Sequence, residues 1–182
     1  ISTSIVRVRE DGSSEFVEFT GNAAEGVNQG LELEYAQRVN DFVRIRASLG
    51  LLNSRYSGYN SPAGEDLNGR DQAHAPSYQY SFSATFGGVS DWFGDIVIQG
   101  QDGFYFSDTH DFQSDAHALI NAGLGRYIGD FEAHFWIKNL LDQEYSVRGF
   151  FFGNDPRTGY ADTGWTQMGN PRQFGISIRK DF

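Results

Sequence analysis

Between Ser77 and Phe86 the chain alternates without a break. Tyr78, Tyr80, Phe82, Ala84 and Phe86 share one parity, and Ser77, Gln79, Ser81, Ser83 and Thr85 share the other. A period of two is the period of a β-strand, whose successive side chains point to opposite faces. The segment therefore predicts a strand with one face in an apolar medium and the other in a polar one.

The pattern recurs along the chain. Leu31, Leu33 and Tyr35 oppose Glu32 and Glu34, and Val43, Ile45, Ala47, Leu49 and Leu51 oppose Arg44, Arg46, Ser48 and Gly50. Ala118, Ile120, Ala122 and Leu124 oppose His117, Leu119, Asn121 and Gly123; Phe131, Ala133, Phe135 and Ile137 oppose Glu132, His134, Trp136 and Lys138. At the C-terminus Phe174, Ile176 and Ile178 oppose Gly175, Ser177 and Arg179. With less regular runs at 2–9, 15–20, 95–106 and 147–152, about ten strands are expected, near the length a tilted membrane strand needs.

The connections also alternate. Short turns are expected at Asp11-Gly12, Arg38 to Asp41, Gly87 to Asp91 and Ile128 to Asp130, and long polar connections at 55–76, 107–115 and 154–171. Short at one end and long at the other is the pattern of an antiparallel membrane barrel. Tyr56, Trp92, Phe93 and Tyr127 stand near strand ends, where the aromatic girdles of such barrels lie. A soluble β-sandwich also makes alternating strands, but it would have to bury Tyr78, Tyr80, Phe82 and Phe86 and find a partner for each phenol. No composition break divides the 182 residues, so the expectation is one all-β unit, an antiparallel transmembrane β-barrel. No run approaches the roughly 18 apolar residues of a membrane-spanning helix.

Composition narrows the function. A net charge of −10 without a Lys/Arg cluster excludes a nucleic-acid surface. The absence of cysteine removes disulfides, thiolate metal sites and cysteine nucleophiles together. No serine has histidine and acid partners at a recognisable spacing, "GLGRYIG" is no phosphate loop, and the carboxylates are scattered, so no enzyme and no cofactor are expected. Glu32, Glu34, Arg44 and Arg46 share the polar parity of consecutive strands. They are expected to pair across the hairpin as a charge network on the lumen face, at roughly 0.2–1 kcal/mol per pair; an arginine turned toward lipid would instead cost roughly 2–4 kcal/mol.

From Asn28 to Tyr56, "NQGLELEYAQRVNDFVRIRASLGLLNSRY", the sequence resembles the TonB-dependent receptors of Gram-negative outer membranes. Further matches follow in that family's order: "GRDQAHAPSYQYSFSATF" (69–86), "WIKNLLDQEYSVRGFF" (136–151), with Asn139, Leu140, Leu141, Asp142 and Tyr145, and "GNPRQFGISIRKDF" (169–182). The resemblance implies about ten C-terminal strands of a 22-stranded, plugged barrel, with the plug domain and its TonB box lying before this segment.

It further implies an outer-membrane receptor for energy-coupled import of a scarce ligand, a ferric siderophore first, with oligosaccharide, haem or cobalamin as alternatives within the family. The implied partners are the TonB complex through the absent plug, the barrel-assembly machinery, the lipid and lipopolysaccharide of the membrane, and the imported small molecule. Tyr105, at the end of an expected strand, and Asp108, His110, Tyr160 and Trp165, on long connections, which in such receptors hang over the barrel mouth, are the candidate ligand contacts; Tyr160 and Trp165 are planar groups suited to stacking. Asp108, His110, Asp111, Asp115 and His117 can be drawn as a metal site, but their spacing matches no established ligand pattern, and no metal is expected. Phe182, a terminal aromatic, is expected to be the signal that the assembly machinery reads. An outer-membrane barrel enzyme and a soluble binding sandwich are the alternatives from other classes.

Overall fold

The computed structural model describes residues 2–8, 14–20, 26–61, 64–87 and 91–180, the first two ranges as backbone only. The strands are β1 (Ser2–Val8), β2 (Ser14–Thr20), β3 (Gly26–Arg38), β4 (Val43–Tyr56), β5 (Tyr78–Phe86), β6 (Trp92–Gln101), β7 (His117–Ile128), β8 (Phe131–Lys138), β9 (Ser146–Phe152), β10 (Thr163–Met168) and β11 (Gln173–Lys180). One short 3-10 turn, Pro156–Thr158, lies between β9 and β10.

Seven strands form one antiparallel sheet in the order β11-β8-β7-β6-β5-β4-β3, and β1–β2 and β9–β10 are separate hairpins. The register sorts the side chains into two faces. Across one face run the rows Leu33, Leu49, Tyr80 and Gly100, then Tyr35, Ala47, Phe82, Ile98 and Ile120, then Val43, Phe86, Gly94, Leu124, Phe135 and Ile176. Across the other run Glu32, Gly50, Gln79, Gln101 and His117, then Glu34, Ser48, Ser81 and Gln99. The alternation read from the sequence is therefore a property of the whole sheet.

No element covers the apolar face among the described residues. Leu33 is 52% exposed, Phe135 46% and Ile176 71%. A solvated sheet carrying such a face would be a large aggregation-prone patch, whereas a membrane-barrel wall needs this arrangement. Near the short turns Trp92 stands on the apolar face opposite Arg126, whose guanidinium carbon lies 5.2 Å from its ring centroid. The buried hydrophobic residues are Tyr56, Leu67, Phe104, Phe106 and Leu119, all at the long-loop end. Packing is concentrated there, on the polar side of the sheet, because Ser54, Tyr56 and Leu119 carry the polar parity and are covered.

Several expectations change. The five residues between paired Arg38 and Arg44 set a register that places Glu32 opposite Gly50, Glu34 opposite Ser48, and Arg46 opposite Ala36. Glu32 and Glu34 thus share a face with Arg44 and Arg46 without pairing directly; Glu34 and Arg46 are diagonal neighbours along one groove. The long connection expected over 154–171 contains β10, which pairs with β9, and the strand expected to reach Phe106 ends at Gln101. Tyr56 is buried among loops rather than in a girdle, and Phe93 and Tyr127 lie on the polar face with rings 4.9 Å apart. The Asp11-Gly12 turn and Phe182 lie outside the described residues.

Candidate functional site

Three segments meet at the long-loop end: residues 57–61 and 64–77 after β4, residues 102–116 after β6, and the β9–β10 hairpin. The first folds back along its own strand, with Gln72 N–H donating to Ser54 O at 3.0 Å and Tyr56 N–H to Arg70 O at 3.0 Å. The second closes on itself through Phe106 N–H to Phe112 O at 3.1 Å and Ser114 N–H to Phe104 O at 2.9 Å. Each loop is thereby a short irregular hairpin that brings its own backbone groups into hydrogen bonds.

Arg70 joins them. Its side chain is 10% exposed, and its guanidinium donates to the carbonyl oxygens of Ser107 at 3.3 Å, Asp108 at 3.4 Å and His110. The same group lies 4.1 Å from the Tyr105 ring centroid and 3.2 Å from the Asp111 carboxylate. A planar fork of donors is the side chain suited to several carbonyls at once, and an aromatic face beneath it adds a cation–π attraction. Beside it Tyr59 donates to Asp108 Oδ2 at 2.7 Å. Burial first, and then the bond to that carboxylate, push the Tyr59 phenol up to about 12. Burial, followed by the neighbouring Arg70 charge, holds the His110 imidazole below its ordinary value.

A ring cluster extends from this junction to the hairpin. His74 to Phe104 is 5.2 Å, Phe104 to Phe106 5.5 Å, Phe106 to Phe112 5.3 Å and His110 to Phe151 5.5 Å between centroids. Two glycines make the last step close. A Cβ on Gly149 would lie 2.1 Å from the Phe106 ring, and one on Gly164 would lie 2.7 Å from the Phe112 ring.

The five expected ligand contacts divide in two. Tyr105, Asp108 and His110 come together in the second loop, where they build the junction: Tyr105 under Arg70, Asp108 5% exposed, and His110 accepting Phe112 N–H on Nδ1 at 3.2 Å. Tyr160 and Trp165 stand on the hairpin, 64% and 42% exposed, with the Trp165 indole N–H donating to Phe152 O at 3.2 Å. His117 turns to the Tyr145 ring at 4.6 Å, and among the described residues no three His, Asp or Glu side chains converge as a metal site would require. Below the loops, Glu32, Glu34, Gln79, Gln99, Gln101 and His117 line a groove of about 400 Å³ on the polar face.

Sequence reasoning passed over Arg70, Tyr59, Phe106 and Phe112. One signal was present for Arg70: it is the lone Lys or Arg between 57 and 77, and the loop it grips, 102–116, holds four aspartates and no Lys or Arg.

A sheet with one uncovered apolar face, a polar opposite face, short turns at one end and packed loops at the other is a stretch of antiparallel transmembrane β-barrel wall. Three of the solved structures it resembles are uptake or siderophore receptors, in keeping with the resemblance carried by the sequence motifs. The ferric yersiniabactin uptake receptor FyuA of Yersinia pestis matches 88% of this chain at a TM-score of 0.73 and 19% identity. The siderophore receptor PiuA of Acinetobacter baumannii matches 84% at 0.66 and 14%, and the ferric-catecholate import receptor Fiu of E. coli K12, in its closed form, 95% at 0.62 and 14%. At such identities the likeness is one of fold. The chain spans only 24%, 21% and 22% of the lengths of those three receptors. No protein-family model matches the sequence.

Proposed function

We propose that this chain is the C-terminal part of the β-barrel of an outer-membrane, TonB-dependent receptor that captures a ferric siderophore at its extracellular loops. The observation that carries the reading is the two-faced sheet, apolar on one face and polar on the other, ending in a packed loop rim and sharing its fold with three siderophore receptors. Seven strands in an open order leave β3 and β11 at the edges of the sheet, and the rest of a larger barrel would pair with them.

In this reading the plug domain, outside this chain, fills the lumen against the polar face and couples to the TonB complex. The apolar face meets lipid, the outer rim meets lipopolysaccharide, and Phe182 is read by the barrel-assembly machinery. Tyr160 and Trp165 offer exposed rings to the ligand, while Tyr105, Asp108 and His110 hold the loop that frames it. The function is receptor transport rather than catalysis.

The test is uptake of radiolabelled iron, presented as catecholate, hydroxamate and phenolate complexes, by cells with and without the full-length receptor. Uptake of one class should require both the receptor and TonB. Uptake of every class that is indifferent to the receptor would overturn the siderophore assignment, and absence of the protein from the outer-membrane fraction would overturn the receptor assignment as a whole.

A further inference from the structure

The strands β8 and β11 pair from Phe131 with Lys180 to Lys138 with Gln173, and β9 and β10 pair from Met168 with Ser146 to Thr163 with Phe152. They form one long hairpin, interrupted where seven residues, 139–145, face only four, 169–172. At the interruption two non-glycine residues adopt left-handed backbone, Asn139 at φ 49° and Asp142 at φ 54°. Such positions are sparsely populated and need support from their surroundings. Side chains supply it. Asn139 Nδ2 donates to Gln143 O at 2.9 Å and Asn170 O at 3.1 Å, its Oδ1 accepts Gln143 N–H at 2.9 Å, and Asp142 Oδ1 accepts Arg172 N–H at 2.8 Å. The ladder stops here and a knot of side-chain bonds takes its place.

Beyond the knot β9–β10 belongs to no larger sheet, and ring contacts hold it to the loops: Phe106 on Gly149, Phe112 on Gly164, and His110 and Phe112 against Phe151. Rings resting on glycines separate without breaking a hydrogen bond. Hinges in closing elements are a few residues at element ends that absorb backbone change.

We propose that the β9–β10 hairpin is a flap that pivots about the Asn139–Asp142–Arg172 knot, seated on Phe106 and Phe112 when closed and uncovering those rings with His110 and Phe151 when open. It rests on the capture reading only for its purpose, which is to admit a ligand to the aromatic rim.

The test uses the ligand-free full-length receptor in detergent, so its result does not depend on which ligand, if any, is imported. This segment has no native cysteine, and with any elsewhere replaced, Thr158→Cys on the flap and Glu65→Cys on the first loop take spin labels. The labels should report a seated distance and a longer one, and Asn139→Ala should raise the longer population about five-fold. A single narrow distance unchanged by Asn139→Ala would overturn the proposal. Should that variant fail to fold, hydrogen exchange on the unsubstituted receptor decides. Amides of β9–β10 should exchange together at least about ten-fold faster than those of β8 and β11, and equal protection would refute the flap.

Discussion

Tyr59 donates its hydroxyl proton to Asp108 Oδ2 across 2.7 Å, tying the first long loop to the second through a carboxylate only 5% exposed. Tyr59→Phe deletes the donor and leaves a buried charge less well bonded, a loss of about 1.5–3 kcal/mol for a bond to an ionised group. The loops of the purified full-length protein should then be cut faster by protease within 57–77; unchanged resistance would show that the bond carries no stability. The phenol's value is raised in the fold, so the protonated form is the favoured one. Its contribution is complete below the ordinary value of 10.0 and is lost as pH rises through about 12. Tyr59→Phe should lack that alkaline loss.

His110 gives the opposite sign. Burial and Arg70 lower its value in the fold, so the neutral ring is favoured; the contribution is complete above the ordinary 6.5 and is lost as pH falls through the lowered value. Asp111 and Asp108 oppose that shift without reversing it. Acidification below about 6.5 should therefore increase protease access to 102–116. His110→Phe keeps a ring against Phe151 and removes the titration, and its loops should show no acid-dependent step.

Gly149 allows β9 to lie against Phe106. Gly149→Ala would place a methyl carbon 2.1 Å from that ring, and overpacking of this kind costs about 1–3 kcal/mol. Combining Gly149→Ala with Phe106→Leu should cost less than the two changes added, read from thermal midpoints in a double-mutant cycle. Strict additivity would mean that the ring and the glycine do not meet.

The two-faced sheet was legible because a period of two survives any choice of partner strand: Tyr78 to Phe86 reads the same whatever lies beside it. Register was less so. Glu32 and Glu34 missed Arg44 and Arg46 because pairing depends on how many residues the turn consumes, which parity alone leaves open. The hairpin arm at Thr163–Met168 was hidden because Gly164 and the threonines give no clean alternation, and its pairing with β9 comes from the returning chain rather than from apolar patterning. Of the candidate site, the loops and their aromatics could be named, but which rings would be buried as scaffold and which would stay exposed depends on Arg70: the four aspartates of the second loop hint at its charge pairing, whereas the backbone carbonyls it bonds leave no mark in sequence.

Arg70 therefore offers a sharp contrast with its own ion pair. Arg70→Lys keeps the charge but cannot reach the carbonyls of Ser107, Asp108 and His110 together, and should destabilise the loop junction by about 2 kcal/mol. Asp111→Asn removes a carboxylate whose side chain is 90% exposed, and should cost about 0–1 kcal/mol. Protease access to the two loops measures both, and equal effects would shift the role from the backbone bonds to the salt bridge.

The assignment of faces predicts how neighbouring residues on β5 tolerate the same substitution. Phe82 stands mid-row between Ala47 and Ile98 on the apolar face, and Ser83 beside it in sequence belongs to the polar face between Arg46 and Val97. In the full-length protein refolded into lipid vesicles, Phe82→Arg should lose about 2–4 kcal/mol, the cost of a guanidinium near the bilayer midplane, seen as a lower urea midpoint. Ser83→Arg places the same charge toward a water-filled or protein-filled lumen and should change that midpoint little. If Ser83→Arg were instead the disruptive change, the polar parity would be the lipid-facing one, and the barrel reading with its lumen and loop rim would be reversed.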